Sequence, residues 1–487
     1  MNFTTIEYYI YFLPIVILSV FFLRKKEHHL FTLLIYSWIF FWFASGWHLI
    51  LLLISTIVDW NAGKFIFNSS NPVFKKRILW CSLLINLLLL GIFKYLDFFI
   101  DTLNLVSLTF GPSLDIKNVN LILPVGISFY TFQTMSYTID IYQGKNKPFD
   151  SFLSFACYAA FFPQLVAGPI VRSDYFRKEI ENGIRFRLSN FKIGITLIVY
   201  GLFKKIAIAD NLSSQVDAIF TSESDLSNFF LVSFGAFLFG IQIYCDFSAY
   251  STIAIGSAKL FDIDLPQNFN HPFFAKSPDE YWKRWHISLS SWLRDYLYNP
   301  IAIRSARQKQ SMNLILIKST MITMLLGGLW HGASWNFVLW GFAHGIIIIF
   351  HQLFRKVSIL QTLKGRNLSI YFFFSWFLTQ FCILFSWILF RVQESDMLIR
   401  CIKTFFLLDC NFSLSTFYIG LGSGRFFIII LVFFFSIIHY ISYRFGGLEK
   451  RLMSLNSLYW GSIMGSMLAL TILLKPTEPT DFIYFRF

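Results

Sequence analysis

Charged residues are scarce in this sequence: they make up 14% of its 487 residues, against roughly 25% in a typical soluble domain. Hydrophobic residues account for 56% and aromatic residues for 20%, so a soluble globular protein is excluded. Long apolar runs alternate with short polar ones, which also excludes the period-two pattern of an outer-membrane barrel. Because backbone polar groups inside a bilayer must pair within the chain, we predict an integral membrane protein whose spans are helices.

Motifs for metals and nucleotides are missing as well. The six cysteines form no CxxC pair, so they are predicted to be small buried hydrophobes rather than disulfide partners or zinc ligands. No GxSxG, GxGxxG or P-loop segment occurs, which excludes a serine hydrolase and a nucleotide-binding protein. His344 and His351 share a helix face that His331 does not, and no i,i+4 histidine pair is present. We therefore predict no metal site.

The basic excess does not indicate nucleic-acid binding. The formal net charge is +14 at pH 7, but no basic patch carries a base-reading motif. Short basic clusters instead flank apolar runs, as in the loops that hold a membrane protein in its orientation. We therefore predict membrane lipids as partners and no nucleic acid. The clusters are Arg24-Lys25-Lys26, Lys75-Lys76-Arg77, Lys204-Lys205 and Arg355-Lys356.

The apolar runs predict about 11–13 transmembrane or re-entrant helices, in an all-α polytopic membrane protein. No soluble domain of useful size interrupts them, so residues 1–487 are predicted to form a single transmembrane domain. No internal repeat is visible, which weighs against a transporter built from repeated halves. The candidate spans are residues 8–23, 30–43, 46–60, 78–98, 121–142, 192–209, 228–256, 312–329, 332–354, 369–390, 425–443 and 457–474.

The segment Phe149–Ile170 is apolar but does not look like a simple span. Pro163 and Pro169 break helices, and Gln164 is polar. A re-entrant hairpin covered by other helices fits this pattern.

The segment Ser277–Pro300 predicts an amphipathic helix. Ser277, Pro278 and Glu280 form a complete helix start, and Asn299-Pro300 is predicted to end the helix. His286 lies at the border of the two helix faces, where aromatic rings can pack it while it reaches a polar cavity. The aromatic face carries Trp282, Trp285, Leu289, Trp292, Leu293 and Tyr296, and the polar face carries Arg284, Ser288, Ser291 and Asp295.

His331 lies within an apolar stretch that extends from about Met312 to Phe350. Ionisable groups at membrane depth are costly and usually functional, and histidine can accept and return a proton near neutral pH. The neighbouring glycines 327, 328 and 332 allow either a ligand chain or another helix to come close. Asp246, also within an apolar run, could orient a histidine or cap a broken helix.

Eight segments resemble a known family, the membrane-bound O-acyltransferases, in the bacterial branch that O-acetylates alginate. The resemblance runs nearly from end to end, and the two segments that contain histidines 286 and 331 are together highly specific. One departure follows Tyr298, where the family usually has a glycine-containing loop and this chain has Asn299–Arg304. The segments are Pro124–Gln133, Phe161–Ile170, Tyr244–Ser248, Asn268–Pro272, Tyr281–Ser290, Trp292–Tyr298, Gly327–Gly332 and Phe482–Phe487.

This resemblance implies a central funnel in the bacterial plasma membrane, with a catalytic segment at residues 277–350. His331 corresponds to the family's invariant histidine and His286 to its second functional histidine. The implied donor is acetyl-CoA or another acyl thioester, with no permanently bound cofactor. The resemblance also implies that the acetyl group passes to an extracytoplasmic SGNH-type acetyltransferase and then to a polysaccharide. The candidate substrate-binding residues are Trp282, Arg284, Trp285, Trp330, Gln164 and Asp246.

Two alternatives remain at this point. The first is a D-alanyl transferase that uses a carrier protein as its donor. The second, of a different class, is a transporter or channel whose polar residues line a pathway.

Overall fold

The computed structural model describes residues 2–111, 114–166, 168–221, 224–355, 368–422, 424–478 and 480–485. Within these ranges the protein is built from helices, and the only β-type pairing is an isolated bridge between Asn228 and Asn411. Four residues from the sequence motifs above lie outside the described ranges: Ala167, Lys356, Arg486 and Phe487.

The helices are numbered here in chain order. The first twelve are α1 (Leu13–Phe21), α2 (Lys26–Ser45), α3 (Leu49–Asn68), α4 (Pro72–Leu90), α5 (Leu96–Phe110), α6 (Ile127–Tyr142), α7 (Phe152–Ala160), α8 (Phe162–Leu165), α9 (Ser173–Asn182), α10 (Leu188–Leu202), α11 (Asp210–Ile219) and α12 (Phe229–Lys259). The others are α13 (Pro278–Trp282), α14 (Ile287–Leu293), α15 (Asn299–Arg307), α16 (Met312–His331), α17 (Trp335–Phe354), α18 (Leu368–Arg391), α19 (Ser395–Phe405), α20 (Leu414–Gly420), α21 (Arg425–Phe445), α22 (Leu448–Ser454) and α23 (Ser457–Leu473). Wider π-helical turns extend or join some of them, at Tyr8–Phe12, Gly91–Tyr95, Phe203–Ala209 and Arg294–Tyr298.

Seven helical runs among the described residues are long and apolar enough to cross a bilayer. About 20 residues suffice for one crossing, and two of these runs contain 43 and 39 residues. The prediction of an all-α polytopic membrane protein is therefore confirmed. The runs are Lys26–Asn68, Pro72–Phe110, Phe229–Lys259, Met312–His331, Trp335–Phe354, Leu368–Arg391 and Arg425–Phe445, with shorter apolar helices at Tyr8–Phe21 and Ser457–Leu473.

The chain divides into two compact units, the first comprising Met1–Ile198 and Ser251–Pro266. A buried polar network joins α3 to α4 in this unit. Asp59 on α3 accepts hydrogen bonds from the Ser82 hydroxyl at 2.6 Å and the Asn86 amide at 3.0 Å. These pairings satisfy a carboxylate that would be costly to bury alone. An apolar core in the same unit includes Leu34, Phe41, Leu52, Leu90, Ile127, Tyr130, Ala156, Ala160 and Leu165.

The second unit comprises Val199–Tyr250 and Gln267–Phe487 and contains both candidate histidines. Its core joins side chains from α11, α12, α17, α18 and α21, and buried tryptophans are prominent in it. Helices α16 and α17 pack very closely because Gly328 and Gly341 face the opposing backbone. A Cβ atom on Gly328 would collide with the Phe337 carbonyl, and one on Gly341 would collide with the Met324 carbonyl.

The prediction of one helix over Ser277–Pro300 is wrong. The predicted start is correct, since the Ser277 hydroxyl accepts the N–H of Glu280 at 3.1 Å and α13 follows. The helix ends at Trp282, however, and α14 begins only after His286. At the other end, Asn299-Pro300 does not stop the helix. A π-helical turn leads directly into α15, where proline lies in the first turn and needs no N–H partner.

The proline-containing segment Phe149–Ile170 forms two short helices, α7 and α8, that meet at Phe161. The break predicted from the prolines is present. All four side chains of α8 and those of residues 155–160 in α7 are buried, so the irregular backbone is covered by protein.

Candidate active site

His331 is the last residue of α16 and is 3% exposed. Four aromatic rings surround its imidazole: the centroid distances are 4.8 Å to Trp340, 5.1 Å to Trp330, 5.4 Å to Phe390 and 5.7 Å to Tyr484. Close packing on several sides limits the positions that the imidazole can take and keeps bulk water away from it.

His286 lies in a left-handed turn between α13 and α14, with φ 42° and ψ 56°. Such a conformation costs a non-glycine residue about 1–3 kcal/mol, and it persists only where the surroundings impose it. Asn268 holds the turn: its carbonyl accepts the N–H of Ile287 at 2.9 Å, and its side-chain oxygen accepts the N–H of Ser288 at 3.2 Å. Burial lowers the pKa of the His286 imidazole well below its usual range, so the ring is neutral at physiological pH.

Two aromatic side chains connect the histidines. The Trp330 ring centroid lies 5.6 Å from that of His286 and 5.1 Å from that of His331. The Tyr484 ring lies 6.4 Å from His286 and 5.7 Å from His331, and Phe247 packs at 4.6 Å against both His286 and Tyr484. These five residues form what we call the histidine chamber. The two histidines, 45 residues apart in the sequence, therefore lie on either side of the same two rings.

A layer of further aromatic residues adjoins the chamber. Trp282 packs at 5.7 Å against Trp340, which itself contacts His331. His344 is almost completely buried and lies 4.5 Å from Trp340 and 5.2 Å from Trp282. Trp285 is also buried, but it packs at 5.1 Å against Trp387 on α18. Trp282 and Trp285 therefore support the walls of the site, one layer behind the histidines.

Three candidate substrate-binding residues have other partners. Arg284 forms an ion pair with Glu280 at 2.8 Å and donates to the Asn270 carbonyl at 3.0 Å. Asp246 lies 2.7 Å from the Lys205 ammonium. Gln164 belongs to the first unit, where its side-chain amide donates to the Tyr158 carbonyl.

Of the two alternatives for the glycines beside His331, room for a donor chain does not agree with the structure at Gly328 and Gly332. Protein atoms occupy that space. The α17 backbone lies against Gly328, and the Phe337 ring lies where a Cβ atom on Gly332 would be. The alternative given by the sequence, close helix packing, is correct. The close approach of α16 and α17 places His331 against Trp340.

Several residues in and around the chamber were not recognised from the sequence. Tyr484 lies in the segment Phe482–Phe487, which carried part of the family resemblance but received no role. Phe247 likewise lies in a resembling segment, Tyr244–Ser248, and received no role. Trp340 and Phe390, which contact His331 from outside the chamber, had no signal of their own, because a chain with 61 phenylalanines and 14 tryptophans offers too many equivalent candidates.

The fold and this arrangement define a class of protein: a multi-pass membrane protein with two buried histidines enclosed by aromatic rings. The profile of the MBOAT, or membrane-bound O-acyltransferase, family matches residues 150–392. The chain is 33% identical over 400 residues to a probable alginate O-acetylase AlgI of Azotobacter vinelandii, which covers 81% of this chain and 76% of the relative. It is 31% identical over 422 residues to a peptidoglycan O-acetyltransferase of Helicobacter pylori, with 80% and 77% covered. A teichoic acid D-alanyltransferase of Streptococcus thermophilus is 28% identical over 286 residues, with 56% and 68% covered.

The chain belongs to the membrane-bound O-acyltransferase family. It is an O-acyltransferase and a multi-pass protein of the bacterial inner membrane. Membership of this family identifies the protein as an enzyme rather than the alternative, a transporter or channel.

Proposed function

We propose that this enzyme transfers acetyl groups from a cytoplasmic thioester donor, acetyl-CoA or another acyl thioester, for O-acetylation of a cell-surface or secreted polysaccharide. The names of the relatives support the acetyl group and the polymeric acceptor. The observation that carries the proposal is the pair His331 and His286 in one buried aromatic chamber. An extracytoplasmic SGNH-type acetyltransferase is the proposed recipient of the group.

The proposed chemistry is general acid–base catalysis by His331. Its neutral imidazole takes the proton of an attacking hydroxyl while the new C–O bond forms. It then returns a proton to the leaving thiolate as the C–S bond breaks. A positioned acid–base group contributes about 10²–10⁴-fold, and holding both substrates in a water-excluded site supplies much of the remainder.

His286 and Trp330 are proposed to orient the acyl group rather than to exchange the proton. His286 is neutral and is held by a rigid turn, and Trp330 contacts both imidazoles. Of the candidate substrate-binding residues, we retain Trp330 as a direct contact. We assign Trp282 and Trp285 to the supporting layer.

Replacing His331 with alanine tests the proposal. We expect His331→Ala to accumulate in the membrane but to lose polysaccharide acetylation, because the change removes the proposed proton acceptor. His48→Ala is the matched control, since His48 is also a buried histidine at a span end and lies in the first unit. Acetyl content is measured by alkaline release from purified polymer. Unchanged acetylation in His331→Ala would contradict the assignment.

The same membranes distinguish the D-alanyl transferase. Supplying labelled acetyl-CoA or a labelled D-alanyl carrier protein shows which acyl group reaches the polymer. If only D-alanine were incorporated, the enzyme would be a D-alanyl transferase and the proposal of acetyl transfer would be wrong.

A further inference from the structure

A buried ion cluster adjoins the histidine chamber. The Lys205 ammonium lies 2.7 Å from Asp210 Oδ1 and 2.7 Å from Asp246 Oδ1, and all three side chains are almost completely buried. Two carboxylates thus share one cation, so the cluster has an excess negative charge. Burying such a charge is costly unless further hydrogen-bond donors reach it.

The segment Thr480–Tyr484 supplies those donors. The Ile483 backbone N–H donates to Asp246 Oδ2 at 2.7 Å, and the Thr480 hydroxyl donates to Asp210 Oδ1 at 2.7 Å. Lys205 in turn donates to the Thr480 carbonyl at 2.9 Å. The segment and the cluster therefore stabilise each other, because charge-assisted hydrogen bonds are about twice as strong as neutral ones.

The same segment carries a side chain into the histidine chamber. Tyr484 directly follows Ile483, and its ring contacts both histidines. The preceding Phe482 stacks on Tyr250 of α12 at 4.2 Å, which fixes the segment along that helix. Asp246 and Phe247 are neighbours on α12, so this helix holds both the ion cluster and one wall of the chamber.

We propose that Lys205, Asp210 and Asp246 are positioning residues for acyl transfer: they hold the segment Thr480–Tyr484 so that Tyr484 completes the chamber around His286 and His331. This inference rests on the proposed function. The reason for such a device is geometric. Misplacement of a catalytic wall by about 1 Å can lower the rate roughly 10²-fold. Beyond a single 3₁₀ turn at Ile483–Phe485, this short segment has no regular structure of its own to hold its register.

Asp246 distinguishes this role from the substrate-binding role suggested by the sequence. A substrate contact that is lost weakens binding and raises KM, while the segment stays protected. A positioning contact that is lost frees the segment and lowers kcat.

Asp246→Asn in the full-length protein in lipid nanodiscs is the principal test. The Asp246 carboxylate offers one oxygen to Lys205 and the other to the Ile483 N–H. Asparagine keeps the size of the side chain but has a single acceptor oxygen, so it cannot serve both partners. Hydrogen–deuterium exchange at the Ile483 amide should rise about 10- to 100-fold, the range expected for a lost hydrogen bond to a charged group. Exchange in α16 should not change, while kcat for acetyl transfer should fall at least tenfold with little change in KM.

Asp217→Asn is the matched control, because Asp217 lies on the same helix α11 as Asp210 but forms its ion pair with Arg391. It should leave both exchange at Ile483 and kcat unchanged. If Asp246→Asn does not accumulate, Thr480→Val is used instead. This uncharged change removes the hydroxyl that donates to Asp210. It should raise exchange at Ile483 and lower kcat, each to a smaller degree than Asp246→Asn. Lys205→Arg, which keeps the charge, should retain more activity than Lys205→Met.

Two results would overturn the inference. One is unchanged exchange at Ile483 when Asp246 or Thr480 is altered. The other is a freed segment with normal kcat. Hydrogen–deuterium exchange is measured without turnover, so it tests the positioning role independently of the reaction. Failure of the proposed acetyl transfer is recognised by a different result, persistent acetylation in His331→Ala.

Discussion

The backbone at His286 suits glycine better than histidine. Its φ is 42°, and a left-handed conformation costs an L-residue roughly 1–2 kcal/mol relative to glycine. We expect His286→Gly to abolish or severely reduce acyl transfer, and to unfold at a higher temperature than His286→Ala. Activity assays and thermal unfolding of the two purified variants check this. Substantial activity in either variant would show that the imidazole is dispensable.

The sequence located this residue but not its conformation. The border position of His286 between aromatic and polar faces is visible in the spacing of Ser277–Pro300. The left-handed turn is not, because it depends on Asn268, which is 18 residues earlier and caps α14 only after the chain has folded back. A local helix signal therefore predicted a continuous helix where a distant hydrogen-bond acceptor imposes a break.

At the scale of helices, the packing of α16 on α17 positions His331. Gly328→Ala would place a methyl group against the Phe337 carbonyl and push the helices apart, whereas a methyl group on Gly327 meets only the end of the Leu293 side chain at 3.1 Å. We expect Gly328→Ala to lower kcat by about 10²-fold or more, the effect of a displacement of about 1 Å. Gly327→Ala should remain active, because a flexible side chain can move aside.

Equal activities of these two alanine variants, at equal membrane levels, would contradict the role of the α16–α17 contact. The pair is informative because both changes add the same atom to the same helix. The sequence offered two interpretations of these glycines, a passage for a ligand chain or close helix packing. Only the position of the opposing backbone separates them.

At the scale of the whole molecule, the chemistry is expected to need no metal ion. No group of three or more His, Cys, Asp or Glu side chains suited to holding a metal occurs among the described residues. Purified enzyme dialysed against a strong chelator should therefore keep its acetyl-transfer rate. If chelation abolished activity and added zinc restored it, the result would favour a metal-assisted mechanism over proton transfer by His331. The assay is run with and without added zinc on the same preparation.

The class of molecule followed from the sequence alone. Low charge, long apolar runs and the requirement for internal backbone pairing in a bilayer demand membrane helices, whatever their arrangement. The segments around His286 and His331 likewise indicated the protein family. Both conclusions depend on local composition and order along the chain, which a linear sequence contains in full.

The site was decided by tertiary structure. Trp330 and His331 are adjacent in the sequence, but Phe247, His286 and Tyr484 reach them from distant parts of the chain. Asp246 appeared as a candidate substrate contact, and its partners Lys205 and Ile483 became visible only in three dimensions. The physical reason is that burial and pairing of charges depend on which distant segments meet. No periodicity or spacing records that meeting.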